Sequence, residues 1–165
     1  FEMAVDTILK AKRIYVIGIR SCAPLASFLS YYLQLICEDV TLVNTNSSSE
    51  IFEQLIRIGQ DDVVIGISFP RYSVKTIQTV SFAKNRKAKI IAITDGAQSP
   101  LAKYADCSIY AGSDMVSFVD SLVAPLSVVN ALLAALSMRY KDSVTDTMLS
   151  MESIWNTMNE YEHID

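Results

Sequence analysis

Four short runs rich in β-branched residues punctuate the chain, at 13–19 (RIYVIGI), 40–44 (VTLVN), 63–67 (VVIGI) and 89–94 (KIIAIT), with a weaker fifth at 107–110. Their hydrophobicity is nearly continuous and not alternating, which is how strands buried on both faces of a parallel sheet read. Helix-length segments lie between them, at about 23–37, 49–58 and 73–86, followed by a short turn at 100–104. Two longer helical stretches follow at about 117–140 and 143–161, and residues 2–11 form a leading helix. Strand and helix in this alternation predict an α/β domain, a three-layer, doubly wound, five-stranded parallel sheet of flavodoxin-like type with helices on both faces. No repeat or low-complexity linker interrupts it, so residues 1–165 are expected to form one domain. In the common strand order 2-1-3-4-5, a ligand crevice opens beyond the carboxyl ends of the first and third strands.

Composition adds one question. Of the 165 residues 51% are hydrophobic and 19% charged, and the mean hydropathy is +0.29. Two stretches, 21–37 and 121–138, carry no charge. Ser27, Ser30, Tyr31, Tyr32 and Gln34 interrupt the first, and Pro125, Ser127, Asn130 and Ser137 the second, whereas a spanning helix wants about 20 predominantly apolar residues. Helices of a large core or an oligomer interface are the expectation, with at least one of the two covered by a second subunit.

Cys22, Cys37 and Cys107 are widely spaced and odd in number, and the one histidine is His163. No structural metal and no cofactor are expected, and the thiols are expected to be reduced in a cytoplasmic protein. A net charge of −4 argues against this segment gripping DNA or anionic lipid by itself. The basic cluster Lys84, Arg86, Lys87 and Lys89 suits a helix C-terminus. The chain begins at Phe1 with no signal-peptide pattern, and is expected to belong to something longer.

Two loops carry the candidate chemistry. The first strand runs into Gly18-Ile19-Arg20-Ser21-Cys22-Ala23-Pro24. Gly18 permits close backbone approach, and Ser21 either simply caps the next helix or, with Arg20 and the helix N–H groups, receives an anion. The third strand ends in Ser68-Phe69-Pro70-Arg71-Tyr72-Ser73-Val74-Lys75-Thr76. Hydroxyls at Ser68, Ser73 and Thr76, with Arg71 and Lys75 among them, can converge on one small anion at a helix N-terminus. One such loop is common, but two on neighbouring strands are a stronger sign.

These residues resemble the SIS (sugar isomerase) domain, in the version that serves as the effector domain of RpiR-family bacterial transcriptional regulators. The resemblance is carried by Gly18-Ile19-Arg20-Ser21, by Ile67-Ser68-Phe69-Pro70-Arg71-Tyr72-Ser73, and by Ile93-Thr94-Asp95 with Ser99-Pro100-Leu101-Ala102, and it spans roughly 14–135. It implies a sheet that binds phosphosugars, usually as a dimer, with Ser21, Ser68 and Ser73 holding the phosphate. The enzyme-type second loop usually reads Ser-x-Ser-Gly-x-Thr; here Pro70 and Arg71 stand at the second Ser and the Gly, as in the regulator subtype. It further implies a helix-turn-helix domain that precedes Phe1, through which alone the protein would reach DNA.

Aldose–ketose isomerisation needs a general base near C1/C2 and an acid to open the ring. The supply is thin. His163 is close to the chain end, Glu50 and Glu53 share a helix face that solvation explains equally well, and Asp120 is the only acid of the predicted long helix. A sensor that binds without turnover fits better than an isomerase. The methionines at 138, 148, 151 and 158 read as packing, with Met151, Trp155 and Met158 forming an apolar stripe.

Overall fold

The computed structural model describes residues 1–114 and 118–158. Five strands, β1 (Arg13–Gly18), β2 (Val40–Leu42), β3 (Asp62–Ile67), β4 (Lys89–Thr94) and β5 (Cys107–Tyr110), form one sheet in the order β2-β1-β3-β4-β5. All four pairings are parallel, with Arg13 opposite Asp62 and Gly18 opposite Ile67 in the central pair. The helices are α1 (Glu2–Leu9), α2 (Ala23–Ile36), α3 (Ser48–Gln54), α4 (Val74–Asn85), α5 (Val123–Arg139) and α6 (Lys141–Met158). The expected architecture and strand order are those observed.

Side-chain alternation along each strand feeds two separate apolar layers. Ile14 and Val16 of β1, with Val63 and Ile65 of β3, face Leu25 and Leu29 of α2 and Leu132 and Leu136 of α5. Tyr15 and Ile17, with Val64 of β3 and Ile90 of β4, face Ile51 of α3 and Val80 of α4. The near-continuous apolar runs are thus two period-2 faces, both buried. α5, uncharged until its last residue, Arg139, buries Pro125, Val129, Leu132, Leu133 and Leu136. Among the described residues no single helix is long and apolar enough to cross a membrane.

Two glycines are required by close approach. A Cβ on Gly18 would lie 2.8 Å from the Cys22 carbonyl oxygen, so the chain can fold back directly after β1. A Cβ on Gly66 would lie 2.9 Å from Val80 Cγ2 and 3.3 Å from Leu101 Cδ1, so α4 and the turn near Leu101 press onto the middle of β3.

Some boundaries differ from expectation, each for a local reason. α2 is preceded by a 3₁₀ turn, Arg20–Cys22, and its N-cap is Cys22 without a side-chain cap bond, so Ser21 is not the cap. α5 starts at Val123 and not near 117, which leaves Asp120 outside it, in the connection from β5. His163 and the end of the last predicted helix lie outside the described residues.

Candidate functional site

β1 and β3 are neighbours whose following connections turn to opposite faces of the sheet, and their carboxyl ends form the topological switch point. A cavity of about 420 Å³ opens there, lined by Ile19, Arg20, Ser21, Cys22, Ser68, Phe69, Pro70, Arg71, Ser73 and Asp120. Its size falls within the range of about 300–1,000 Å³ common for small-molecule sites. Of the seven residues expected around the anion, five, Arg20, Ser21, Ser68, Arg71 and Ser73, share this one cavity. Thr76 is fully buried one turn into α4 and does not line it. Its hydroxyl has no hydrogen-bond partner among the described residues.

Ser68 is held on three sides. Its N–H donates to the Ile93 carbonyl at 3.1 Å, its carbonyl accepts from Thr94 Oγ1 at 2.7 Å, and its Oγ accepts from the Ser73 N–H at 3.1 Å. Beyond that bond Ser68 Oγ keeps its proton, a donor at the cavity wall, and one further acceptor lone pair. Ser73 does cap α4, its Oγ accepting from the Thr76 N–H at 3.3 Å. The capped helix presents its amino end at the cavity, where the macrodipole and the first-turn N–H groups favour an anion.

The loop between these serines is tied to β4. Tyr72 donates to the Asp95 carboxylate, and Thr94 Oγ1 shares a hydrogen bond of 2.7 Å with Ser99 Oγ, which accepts from the Leu101 N–H at 3.2 Å. The Thr94-Asp95 and Ser99 positions that carried part of the resemblance therefore brace the loop from behind. Cys22 sits between the two loops, where burial raises its thiol pKa against the opposing effects of the Phe69 backbone and the Ser21 hydroxyl.

Arg20 and Arg71 both occupy left-handed backbone, with φ of 61° and 65°. Non-glycine residues pay strain there, of order 1–2 kcal/mol, and such strain collects at ligand sites. At Arg71, the Ser-x-Ser-Gly-x-Thr pattern with which this loop was compared has glycine, the residue that holds left-handed backbone with least strain, whereas here the position carries a guanidinium. Arg71 Nη2 lies 3.3 Å from Asp120 Oδ1.

Lys75, expected near the anion, instead reaches the Asn46 carbonyl and lines an adjoining depression with Asn46 and Tyr72. Ser47 and Ser49 hydrogen-bond each other at 2.9 Å, and Thr45 donates to Glu50 at 2.5 Å. Glu50 thus anchors the start of α3. Sequence reasoning missed Asp120 as a cavity residue because it was placed inside a helix. The signal was its position as the sole acid between Met115 and Arg139.

Residues 7–135 match the family model described as the SIS domain, and the chain belongs to that family. It is 27% identical over 150 residues to a Haemophilus influenzae protein named as an uncharacterized HTH-type transcriptional regulator, covering 88% of this chain and 51% of that one. The chain therefore spans about half the length of that relative. The crystal structure of the sugar isomerase domain of an RpiR transcription factor from Sphaerobacter thermophilus matches with a TM-score of 0.87 at 28% identity, over 92% of this chain and 84% of that one. The Vibrio vulnificus NanR protein, solved in complex with ManNAc-6P, matches with a TM-score of 0.79 at 20% identity, over 93% and 60% of the two chains, a likeness of fold alone.

Proposed function

We propose that this domain binds a sugar phosphate without turning it over, as the sensing part of a bacterial RpiR-type transcriptional regulator. The observation that carries the reading is the convergence of Ser21, Ser68, Ser73, Arg20 and Arg71 on one cavity at the carboxyl ends of β1 and β3. The phosphate is assigned to the serine hydroxyls and the head of α4, with the arginines supplying charge. The NanR neighbour, complexed with ManNAc-6P, and the regulator names of the relatives support the effector class and the role.

Binding without turnover is supported by the cavity lining. Its one carboxylate among the described residues is Asp120, which Arg71 engages. DNA contact is assigned to a helix-turn-helix domain outside these residues. A ligand would act by binding two arrangements of paired sensor domains with different affinity, since equal affinity shifts nothing. Pairing is supported by the outward apolar side chains Val123 and Met138 of α5 and Leu149 and Ile154 of α6, all more than half exposed in the single chain. Sedimentation of the protein with Leu149→Glu and Ile154→Glu tests the pairing; a species unchanged from the parent would remove α6 from the interface.

A thermal-shift panel of sugar phosphates tests the site. Saturation at about 100 times the Kd stabilises by roughly 2.7 kcal/mol, on the order of 5–10 °C for a domain of this size. Ser21→Ala and Ser68→Ala should each reduce that shift. An unchanged shift in both variants, or no shift with any sugar phosphate, would remove the assignment. A coupled isomerase assay on the ligand that binds is expected to show no interconversion.

A further inference from the structure

The cavity lining carries two different chemistries. Ser68, Ser73 and the amino end of α4 present donors, while the carboxylate of Asp120 enters from the connection that leads from β5 into α5. The Asp120 side chain is 19% exposed, and Arg71 touches it through a single nitrogen at 3.3 Å from a side chain that is 72% exposed. A single-point pair with an exposed arginine is worth little. The carboxylate therefore retains acceptor capacity that this contact does not use, while Arg71 can turn to an incoming anion.

An ionised carboxylate only accepts hydrogen bonds, and it repels a second anion. A phosphoryl group is thus favoured on the serine side, away from Asp120, and whatever lies against Asp120 must be uncharged or cationic and must carry donors. Neighbouring hydroxyls meet that requirement, because two O–H groups can donate to the two oxygens of one carboxylate. We infer that Asp120 is the specificity-determining residue for the body of the ligand, selecting a hydroxyl-bearing monophosphate over inorganic phosphate and over bisphosphates. The inference rests on the reading of the serine side as a phosphate site, and assigns the other half of the same cavity.

The discrimination is of the kind a site gains when it is built to hydrogen-bond a hydroxyl, since an analogue without that group leaves a polar atom unpaired. Hydrogen bonds to a charged group contribute about 1.5–3 kcal/mol, which corresponds to roughly tenfold to hundredfold in affinity.

The test is titration calorimetry of the unaltered protein and of Asp120→Asn with four probes: inorganic phosphate, glucose 6-phosphate, N-acetylmannosamine 6-phosphate and fructose 1,6-bisphosphate. Asparagine keeps the shape and removes the charge. The variant should lose about tenfold or more in affinity for the better-bound monophosphate, bind inorganic phosphate as well or better, and lose its preference against the bisphosphate. Retained phosphate binding also shows that the variant is folded. If the ratio of monophosphate to inorganic phosphate affinity is the same in both proteins, the role of Asp120 is overturned and the phosphate site stands. If the unaltered protein binds none of the four, the phosphate site falls, and this inference with it.

Discussion

Tyr72 donates its phenolic hydrogen to both oxygens of Asp95, at 2.9 and 3.0 Å, and so ties the loop after β3 to the end of β4. Burial raises the Tyr72 pKa, and the adjacent carboxylate raises it further. The phenol thus stays a neutral donor throughout the neutral pH range.

Tyr72→Phe should therefore loosen the cavity wall without emptying the core. The expected loss is about 1–2 kcal/mol in urea titration, together with a several-fold weaker affinity for phosphate compounds. A stability loss with unchanged affinity would make Tyr72 a staple of the fold and nothing more.

At the opposite end of the sheet, Asp62 takes Arg13 Nε at 3.0 Å and Nη2 at 2.8 Å, and also accepts from the Gly59 N–H at 2.8 Å. Asp62 is buried while Arg13 is partly open to solvent, so the orphaned arginine of an Asp62→Ala protein can find water. The cost should then be about 2–3 kcal/mol, at the lower edge of what breaking a buried pair costs. Phosphate affinity should be unchanged, because the pair is at the amino ends of β1 and β3.

Gly66→Ala places a methyl against Val80 and Leu101, both fully buried. Overpacking of this kind costs about 1–3 kcal/mol. Val80→Ala alone creates a cavity, but the two changes combined should cost less than the sum of the single costs. Additive losses would mean that Leu101, and not the Val80 side chain, resists the methyl.

The thiols should be poorly reactive in the folded protein. Burial pushes Cys37 up to about 11, and burial also raises Cys22 and Cys107. Labelling by a thiol-specific disulfide reagent at pH 8 should be slow until urea is added. The linkage has a sign: the unfolded Cys37 gives up its proton near 9.0 whereas the folded one keeps it to about 11. Its contribution to stability is thus whole below pH 9 and is lost as pH rises toward 11. Cys37→Ala should flatten that alkaline limb in pH-dependent unfolding, and an unchanged limb would assign it to other groups.

Most of the architecture was legible because both faces of β1, β3 and β4 are buried, which leaves an unmistakable apolar run in the sequence. Ser73 was legible for a similar reason, since an N-cap is a local property of a few consecutive residues. Ser21 was legible as a residue of this loop but not in its local role, because an N-cap needs extended backbone and Ser21 lies inside the 3₁₀ turn Arg20–Cys22 that follows the extended Ile19. Thr76 follows from the same limit. Its position in sequence suits the loop, but one turn of helix carries it into the core. Asp120 was the least legible, because it reaches the cavity only through the fold of the connection after β5, some 50 residues from Arg71.

Among the described residues, three hold backbone that glycine would hold with less strain: Arg20, Arg71 and Lys87. Lys87 follows the end of α4, far from the cavity, in the place where helices often carry glycine. Replacing it with glycine should raise stability by up to about 1 kcal/mol, the relief of strain less glycine's entropy, and leave binding alone. The same exchange at Arg20 or Arg71 should also relieve strain, yet weaken anion affinity. A library of variants selected for thermal resistance alone would thus drift toward glycine at all three positions, and at two of them it would discard the ligand on the way.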